Sequence, residues 1–143
     1  MANMLFYAHS GLRFLVLLSA VMAIAVLLWG WNSRRPYAGQ SRAIVAVFTG
    51  VLGLQFLVGI GVVLTRPWYG ALMGHLIMMF AAIGVAQGVT GYARRQPDAR
   101  RAHMISLIGV ALALVLVIGG IMAIRDNPFQ MTPGVRAMAT DNG

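Results

Sequence analysis

Four long apolar runs separated by short polar segments dominate the pattern of this sequence. The runs are Phe14–Trp31, Ala43–Leu64, Ala71–Tyr92 and Met104–Ile124. Each is close to the roughly 20 residues that a helix needs to cross about 30 Å of hydrocarbon. The pattern predicts an all-α fold, an integral membrane four-helix bundle with helices over about residues 9–31, 43–64, 71–92 and 104–124.

The composition supports this interpretation and separates a membrane domain from a polar C-terminal tail. Of 143 residues, 59% are hydrophobic and only 10% are charged, and the mean hydropathy is +0.79, which lies outside the range of soluble globular proteins. No basic segment precedes the first run and no clear small-residue cleavage site follows it, so we expect it to be retained. Residues 1–125 are predicted to form the membrane domain and residues 126–143 an extended external C-terminal tail.

The charges predict an orientation in the membrane. All eleven basic residues are arginines, against three acidic residues. Seven of them flank the runs in two connections: Arg34, Arg35 and Arg42 between the first and second runs, and Arg94, Arg95, Arg100 and Arg101 between the third and fourth. By the positive-inside rule both loops are cytoplasmic and both termini lie outside, in a bacterial cytoplasmic (inner) membrane. The charge therefore indicates topology and lipid contact, and we expect no nucleic-acid partner.

Several kinds of chemistry lack the residues that they need. The chain has no cysteine, which excludes disulfides, iron–sulfur clusters and thiolate metal sites. It has no glutamate, and no aspartate lies within a spanning run, so paired-carboxylate catalysis has no candidates. The same absence disfavours a cation transporter. We therefore expect a redox or accessory subunit rather than a complete enzyme.

Internal similarity and glycine spacing suggest how the helices pack. The segments that begin at Arg34 and at Arg94 align their arginine pairs, glycines and closing Arg/Pro turns in near register, which favours two similar helical hairpins. The third run carries two GxxxG spacings, Gly70/Gly74 and Gly84/Gly88, and the second and fourth runs carry Gly50, Gly53, Gly59, Gly109, Gly119 and Gly120. Small residues allow helix backbones to approach closely, so these glycines are predicted to form helix contacts.

Two histidines and an arginine are the best candidates for a functional site. His9 begins the first predicted helix, and His75 lies near the start of the third. These helices run parallel, so both histidines fall toward the outer face. Imidazoles from two facing helices are a common way to hold the iron of a b-type haem in a bundle. Arg13, one turn from His9 on the same helix face, would neutralise a haem propionate.

Other interpretations of these residues stay open. His9 lies about 37 Å of helix from Arg34, whereas His75 lies about 28 Å from Arg94, which argues against the two meeting at one iron. In the alternative, His9 is an interfacial histidine hydrogen-bonded near the helix start, and Arg13 extends to the headgroups. A quinone or another polar-headed ligand is the third interpretation.

The remaining polar side chains near the spanning runs have simpler explanations. Gln55 and Gln87 are predicted to make hydrogen bonds between helices, with a quinone carbonyl as the functional alternative. Met73, Met78 and Met79 surround His75 and are interpreted as core filling rather than as axial ligands. His103 follows Arg100 and Arg101 and is expected in the solvated cytoplasmic loop.

Three stretches carry a resemblance to a known group of proteins. They read LFYAHSGLRFLVLL, RRPY and GHLIMMF, and over residues 5–125 the layout resembles small bacterial four-helix membrane proteins labelled cytochrome b-like. The resemblance implies a haem or quinone role in electron transfer, carried by His9, Arg13 and His75. The tail has no counterpart in it.

Two functions follow as expectations. The first is an electron-transfer subunit in which His9 and His75 hold one haem b near the outer (periplasmic) face and electrons pass to or from quinone or an external carrier. The alternative is a cofactor-free structural subunit of a larger respiratory or photosynthetic complex. In both cases the partners are the lipid bilayer and other membrane subunits or further copies of this chain.

Overall fold

The computed structural model describes residues 2–125 and 128–129, and four helices make up most of that part of the chain. They are α1 (Ala2–Asn32), α2 (Gln40–Thr65), α3 (Gly70–Ala93) and α4 (Ala99–Met122). The described residues contain no strand, and all four helices are long and apolar enough to cross a membrane. The predicted all-helical architecture is confirmed. The predicted tail, 126–143, lies outside the described residues apart from Pro128 and Phe129.

Two helices begin earlier than the apolar pattern predicts. Helix α1 begins at Ala2 rather than near residue 9, and α4 begins at Ala99 rather than near residue 104. The start of α4 is set by a cap: the Asp98 carboxylate accepts a hydrogen bond from the Arg101 backbone N–H at 2.6 Å. An aspartate in this position satisfies a donor that the first helical turn leaves unpaired. A hydropathy pattern does not detect such a cap, so it places the start of the helix too late.

The helices pair as two hairpins whose connecting loops share one end of the bundle. Helix α1 packs on α2 and α4, α3 packs on α4, and α2 and α3 touch only slightly. The α1–α2 and α3–α4 loops meet where the Arg42 side chain donates to the Arg94 carbonyl oxygen at 3.4 Å. We call this the arginine end, and the opposite end, with the start of α1 and the end of α4, the cavity end. Both arginine-rich loops therefore lie on the same side.

Small side chains fill the centre of the bundle, and large apolar side chains cover its outside. Ala20, Ala23, Ala82, Ala86 and Ala113 are completely buried. Leu57, Phe80 and Val115, among others, are more than half exposed on the helix surfaces. Close backbone approach in the interior with an apolar exterior is the arrangement expected of helices packed within a lipid bilayer.

A cluster of buried polar side chains ties the arginine end together. His103 is completely buried: its Nδ1 lies 2.8 Å from the Ala99 carbonyl oxygen, and its Nε2 lies 2.9 Å from the Ser41 hydroxyl. Because a carbonyl only accepts, Nδ1 carries the proton and Nε2 accepts from Ser41. The Tyr37 hydroxyl meets the Ser106 hydroxyl at 2.6 Å. The expectation that His103 lies in a solvated loop is wrong, because α4 already includes it.

Close packing occurs at some of the predicted glycines and not at others: a Cβ on Gly59, Gly109 or Gly120 would lie within 3.0 Å of a neighbouring side chain. A Cβ built on Gly30 would lie 2.3 Å from His103 Nε2, so this glycine makes room for the buried imidazole. On α3, a Cβ on Gly70, Gly84 or Gly88 would meet nothing within 4 Å. The exposed Gly84/Gly88 pair therefore forms no close helix contact within the described part of this chain, whereas a Cβ on Gly74 would be in ordinary contact with Ala123 Cβ, at 3.7 Å.

This difference predicts opposite effects of two alanine substitutions. Gly30→Ala forces a methyl group into the His103 ring, and overpacking of this kind lowers the free energy of unfolding by about 1–3 kcal/mol. Gly84→Ala adds its methyl group to open space and is expected to be neutral or to stabilise by up to about 1 kcal/mol through helix propensity. Detergent-induced unfolding followed by circular dichroism measures both. Equal destabilisation by the two variants would contradict this packing.

Candidate functional site

A cavity at the cavity end is the candidate site. It encloses about 110 Å³, and about 1020 Å³ of atom-free space when its open mouth is included. All four helices line it, mostly with aliphatic and aromatic side chains. Seven polar side chains also line it: His9, Ser10 and Arg13 from α1, Gln55 from α2, His75 from α3, and Tyr69 and Arg125 from the connections beyond the helix ends.

His9 and His75 face each other across this cavity. Their ring centroids are 6.2 Å apart, and the ring planes are nearly perpendicular, at 84°. The counts of residues from the arginine end argued against this meeting. The observed separation shows that this objection was wrong, because a count of residues along each helix does not fix where its side chains lie in the bundle. The structure therefore brings the two predicted candidate ligands together.

The orientation of His75 leaves one ring nitrogen available. Its Nδ1 lies 2.8 Å from the carbonyl oxygen of Gly120 on α4, so Nδ1 is the donor and Nε2 keeps an unprotonated lone pair. A Cβ on Gly120 would lie 2.5 Å from Met79 Cε and 3.0 Å from Met78 Cβ, so the glycine permits close packing of α3 on α4 beside this hydrogen bond. A histidine that donates one N–H to a backbone carbonyl is typical of metal ligands.

His9 is held through its backbone rather than through its ring. The Gln55 side-chain amide donates to the His9 carbonyl oxygen at 2.9 Å and lies 3.5 Å from His9 Nε2. The ring packs on Gly59, where a Cβ would lie 2.9 Å from His9 Cε1. Within the described residues, the buried His9 Nδ1 and Gln55 Oε1 atoms have no hydrogen-bond partner.

The predicted role of both glutamines between helices is observed. Gln55 links α2 to α1 through the His9 carbonyl oxygen. The Gln87 amide on α3 is 3.5 Å from the Thr49 carbonyl oxygen on α2. Of the two, only Gln55 lines the cavity.

Two arginines line the cavity, and the sequence pointed to only one of them. Arg13 is 4% exposed, so its side chain is enclosed by the bundle and does not extend to the headgroups as in the alternative interpretation. Arg125 is 6% exposed and donates to the Ser10 hydroxyl at 3.2 Å. The only sequence signal for Arg125 was its position directly after the last apolar run. An ordinary arginine at the membrane interface occupies the same position.

Tyr69 and Arg125 lie outside the helices, and burial perturbs both. Burial raises the pKa of the Tyr69 phenol, an effect that the positive charges of Arg125 and Arg66 oppose. Burial also lowers the pKa of the Arg125 guanidinium, which nevertheless stays protonated near neutral pH because an arginine is almost never deprotonated in a protein. The cavity is thus bordered by a neutral phenol and a positive guanidinium.

The residues present fit a metal held between two imidazoles. A metal–imidazole nitrogen bond is about 2.0–2.1 Å, so two imidazoles on opposite sides of one ion have ring centres about 6 Å apart, close to the observed 6.2 Å. The described residues contain no group of three or more His, Cys, Asp or Glu side chains that could hold a bare ion. A metal here would need further ligands from a cofactor, as a porphyrin supplies to haem iron.

The hydrogen bond between α3 and α4 predicts a graded effect of substitutions at His75. His75→Leu removes the donor and is expected to lower the free energy of unfolding of the unliganded protein by about 0.5–1.5 kcal/mol. His75→Asn keeps a side-chain N–H close to the position of Nδ1 and should retain most of that energy. Unfolding in mixed detergent micelles measures both, and equal loss in the two variants would contradict the assigned hydrogen bond.

Comparison with known proteins adds no relative to this description. No family model, curated protein or solved structure matches the chain.

Proposed function

We propose that this chain is a membrane-embedded electron-transfer subunit that binds one haem b in the cavity between His9 and His75. The observation that carries the proposal is the pair of imidazoles from α1 and α3, with ring centroids 6.2 Å apart in the wall of an apolar cavity. The two guanidinium groups that line the same cavity support it.

Each polar residue of the cavity has a role in this proposal. His75 offers Nε2 as a ligand, with Nδ1 held by the Gly120 carbonyl oxygen. His9 offers the second imidazole, and Gln55 fixes the α1 backbone from which it projects. Arg13 compensates the charge of a propionate. When bound, the haem supplies one-electron redox chemistry at a potential set by these ligands and by burial.

The arrangement favours an electron carrier over a complete enzyme. Two protein ligands on opposite sides of the haem iron leave no open position for a substrate, and haem in a small bundle moves electrons without further chemistry. The cavity wall includes Ile60 on α2 and Phe80 on α3, both exposed at the outside of the bundle. These helices touch each other only slightly, so a lipid-soluble carrier such as quinone has a route to the cavity edge.

The proposal includes a location and a sidedness. Four apolar helices fit a multi-pass membrane protein, and the positive-inside rule assigns the arginine end to the cytoplasm of a bacterial cell. The cavity then lies near the periplasmic face of the inner membrane. Donors and acceptors in the periplasm or in the outer leaflet are the natural electron partners.

A cofactor-free structural subunit is the second candidate, and one observation favours it. The α3 face that carries Gly84 and Gly88 is open, since a Cβ on either would meet nothing within 4 Å. Such a face suits close packing against a helix of another membrane subunit. In that case His9 and His75 serve only the packing of the bundle, and substitution of Gly84 by a bulky residue would release the chain from its complex.

The visible spectrum tests the haem proposal. Protein expressed with ample haem and purified in detergent should give a b-type reduced-minus-oxidised difference spectrum. His9→Ala and His75→Ala should each abolish or strongly diminish it, because each removes one axial ligand. Gln87→Ala, which changes a polar α3 side chain outside the cavity, is the matched control and should leave the spectrum unchanged.

Two results would refute this proposal. One is a flat spectrum from folded wild-type protein purified under haem-replete conditions. The other is an unchanged spectrum in both histidine variants, which would mean that any bound haem has other ligands.

A further inference from the structure

We propose that Arg125 and Arg13 together form a carboxylate-binding site at the polar end of the cavity, for an amphiphilic ligand. Two sources share this chemistry: the propionates of a tetrapyrrole and the head of a fatty acid. The inference deepens the proposed function and rests on it for the choice of the tetrapyrrole. It assigns to Arg125 a role in binding that the sequence did not suggest.

The two guanidinium groups belong to one wall of the cavity. Arg125 follows the end of α4 and donates through Nη2 to the hydroxyl of Ser10 on α1, at 3.2 Å. Arg13 lies three residues after Ser10 on α1, so the two side chains are about one helical turn apart. Both arginines line the cavity and both are at least nine-tenths buried.

The guanidinium groups determine which ligand group the cavity favours. Arg125 and Arg13 place two guanidinium groups in the wall of the same cavity. A charge in a low-dielectric wall interacts more strongly with an opposite charge than it does in water. The planar fork of a guanidinium matches a carboxylate with two parallel hydrogen bonds. A carboxylate is therefore the group that this end of the cavity is suited to bind.

The rest of the cavity determines what the carboxylate is attached to. Most of the remaining cavity wall is apolar, with Val16, Leu52, Phe56, Leu72, Leu76 and Val117. A small hydrophilic anion would leave this part unfilled, whereas a ligand with an apolar body and a carboxylate end matches both parts. The mouth next to Ile60 and Phe80 allows such a ligand to enter from the membrane.

Arg66 provides a matched control among the arginines of the same end. Its guanidinium donates to the Asn3 side-chain oxygen at 3.0 Å and lies 4.3 Å over the Phe6 ring. Arg66 does not line the cavity. Loss of its charge therefore changes the electrostatics of the cavity end without removing a donor from the cavity wall.

Metal-free protoporphyrin IX separates carboxylate binding from iron ligation. The test is a fluorescence titration of the detergent-purified full chain with protoporphyrin IX and with its dimethyl ester. Wild-type protein should bind the diacid at least about ten-fold more tightly than the diester, since a charge-assisted hydrogen bond contributes about that factor or more. Arg13→Gln and Arg125→Gln should each remove most of this preference, whereas Arg66→Gln and His75→Ala should keep it.

A second arm distinguishes the two sources of the carboxylate. Laurate and methyl laurate are added in competition with bound protoporphyrin IX. Displacement by laurate but not by its methyl ester would mean that a single fatty-acid head is sufficient. No displacement by either, together with tight binding of the diacid, would mean that the site requires the tetrapyrrole. Both results support the carboxylate site.

Three results would overturn the inference: equal affinity of wild-type protein for diacid and diester, no binding of either carboxylate ligand, or the same loss in Arg66→Gln as in Arg125→Gln. Arg125→Lys keeps the positive charge but lacks the planar guanidinium, so its preference for the diacid should fall between those of wild type and Arg125→Gln. An intermediate preference would show that the loss in Arg125→Gln does not come from misfolding. A flat haem spectrum with a retained preference for carboxylates would refute the haem proposal alone.

Discussion

The hydrogen bond from His75 Nδ1 to the Gly120 carbonyl oxygen is the contact on which the site depends. It joins α3 to α4 and selects the tautomer whose Nε2 has a free lone pair. A Cβ on Gly120 would lie 3.0 Å from Met78 Cβ, so α3 packs tightly on α4 beside this hydrogen bond. The His9 ring lies opposite in the wall of the same cavity, with its centroid 6.2 Å from that of His75.

The buried histidines at the two ends of the bundle differ in how completely their ring nitrogens are hydrogen-bonded. This difference supports a structural role for the arginine end and a ligand-binding role for the cavity end. At the arginine end, both ring nitrogens of His103 have partners, and Tyr37 and Ser106 complete a closed polar cluster. At the cavity end, the described structure leaves His9 Nδ1 and Gln55 Oε1 buried without a hydrogen bond. A buried polar atom without a partner destabilises a fold. This loss of stability is more readily tolerated at a site that binds a ligand than in a cluster whose only role is structural.

Much of the architecture could be predicted from the sequence, because the thickness of the bilayer and the distribution of charge along the chain constrain it strongly. Four apolar runs specify four helices, and arginine clusters specify which loops share an end. The start of α4 was missed because arginines beside His103 indicate a solvated loop in a hydropathy pattern, whereas the Asp98 cap extends the helix over them. Gly84 and Gly88 were predicted to form helix contacts and make none within the described part of the chain, because GxxxG spacing does not show which helix, if any, contacts that face.

The site was harder to predict than the fold, since it depends on contacts across the bundle. His9, His75 and Arg13 could be singled out as rare ionisable residues in apolar helices. Arg125 could not, because its sequence position is that of an ordinary interface arginine, and only the fold directs it toward Ser10. The distance between the two histidines depends on how α1 and α3 pack in the bundle, and a count of residues along each helix does not give that packing.

The central claim is that His9 and His75 bind opposite sides of one haem iron. Low-temperature electron paramagnetic resonance of the oxidised protein, loaded with haem, tests it most directly because the spin state of ferric iron reports its axial ligands. The account predicts a low-spin signal in wild-type protein that changes to high spin when either histidine is replaced by alanine. A high-spin signal in wild-type protein, or a low-spin signal that survives both substitutions, would contradict it.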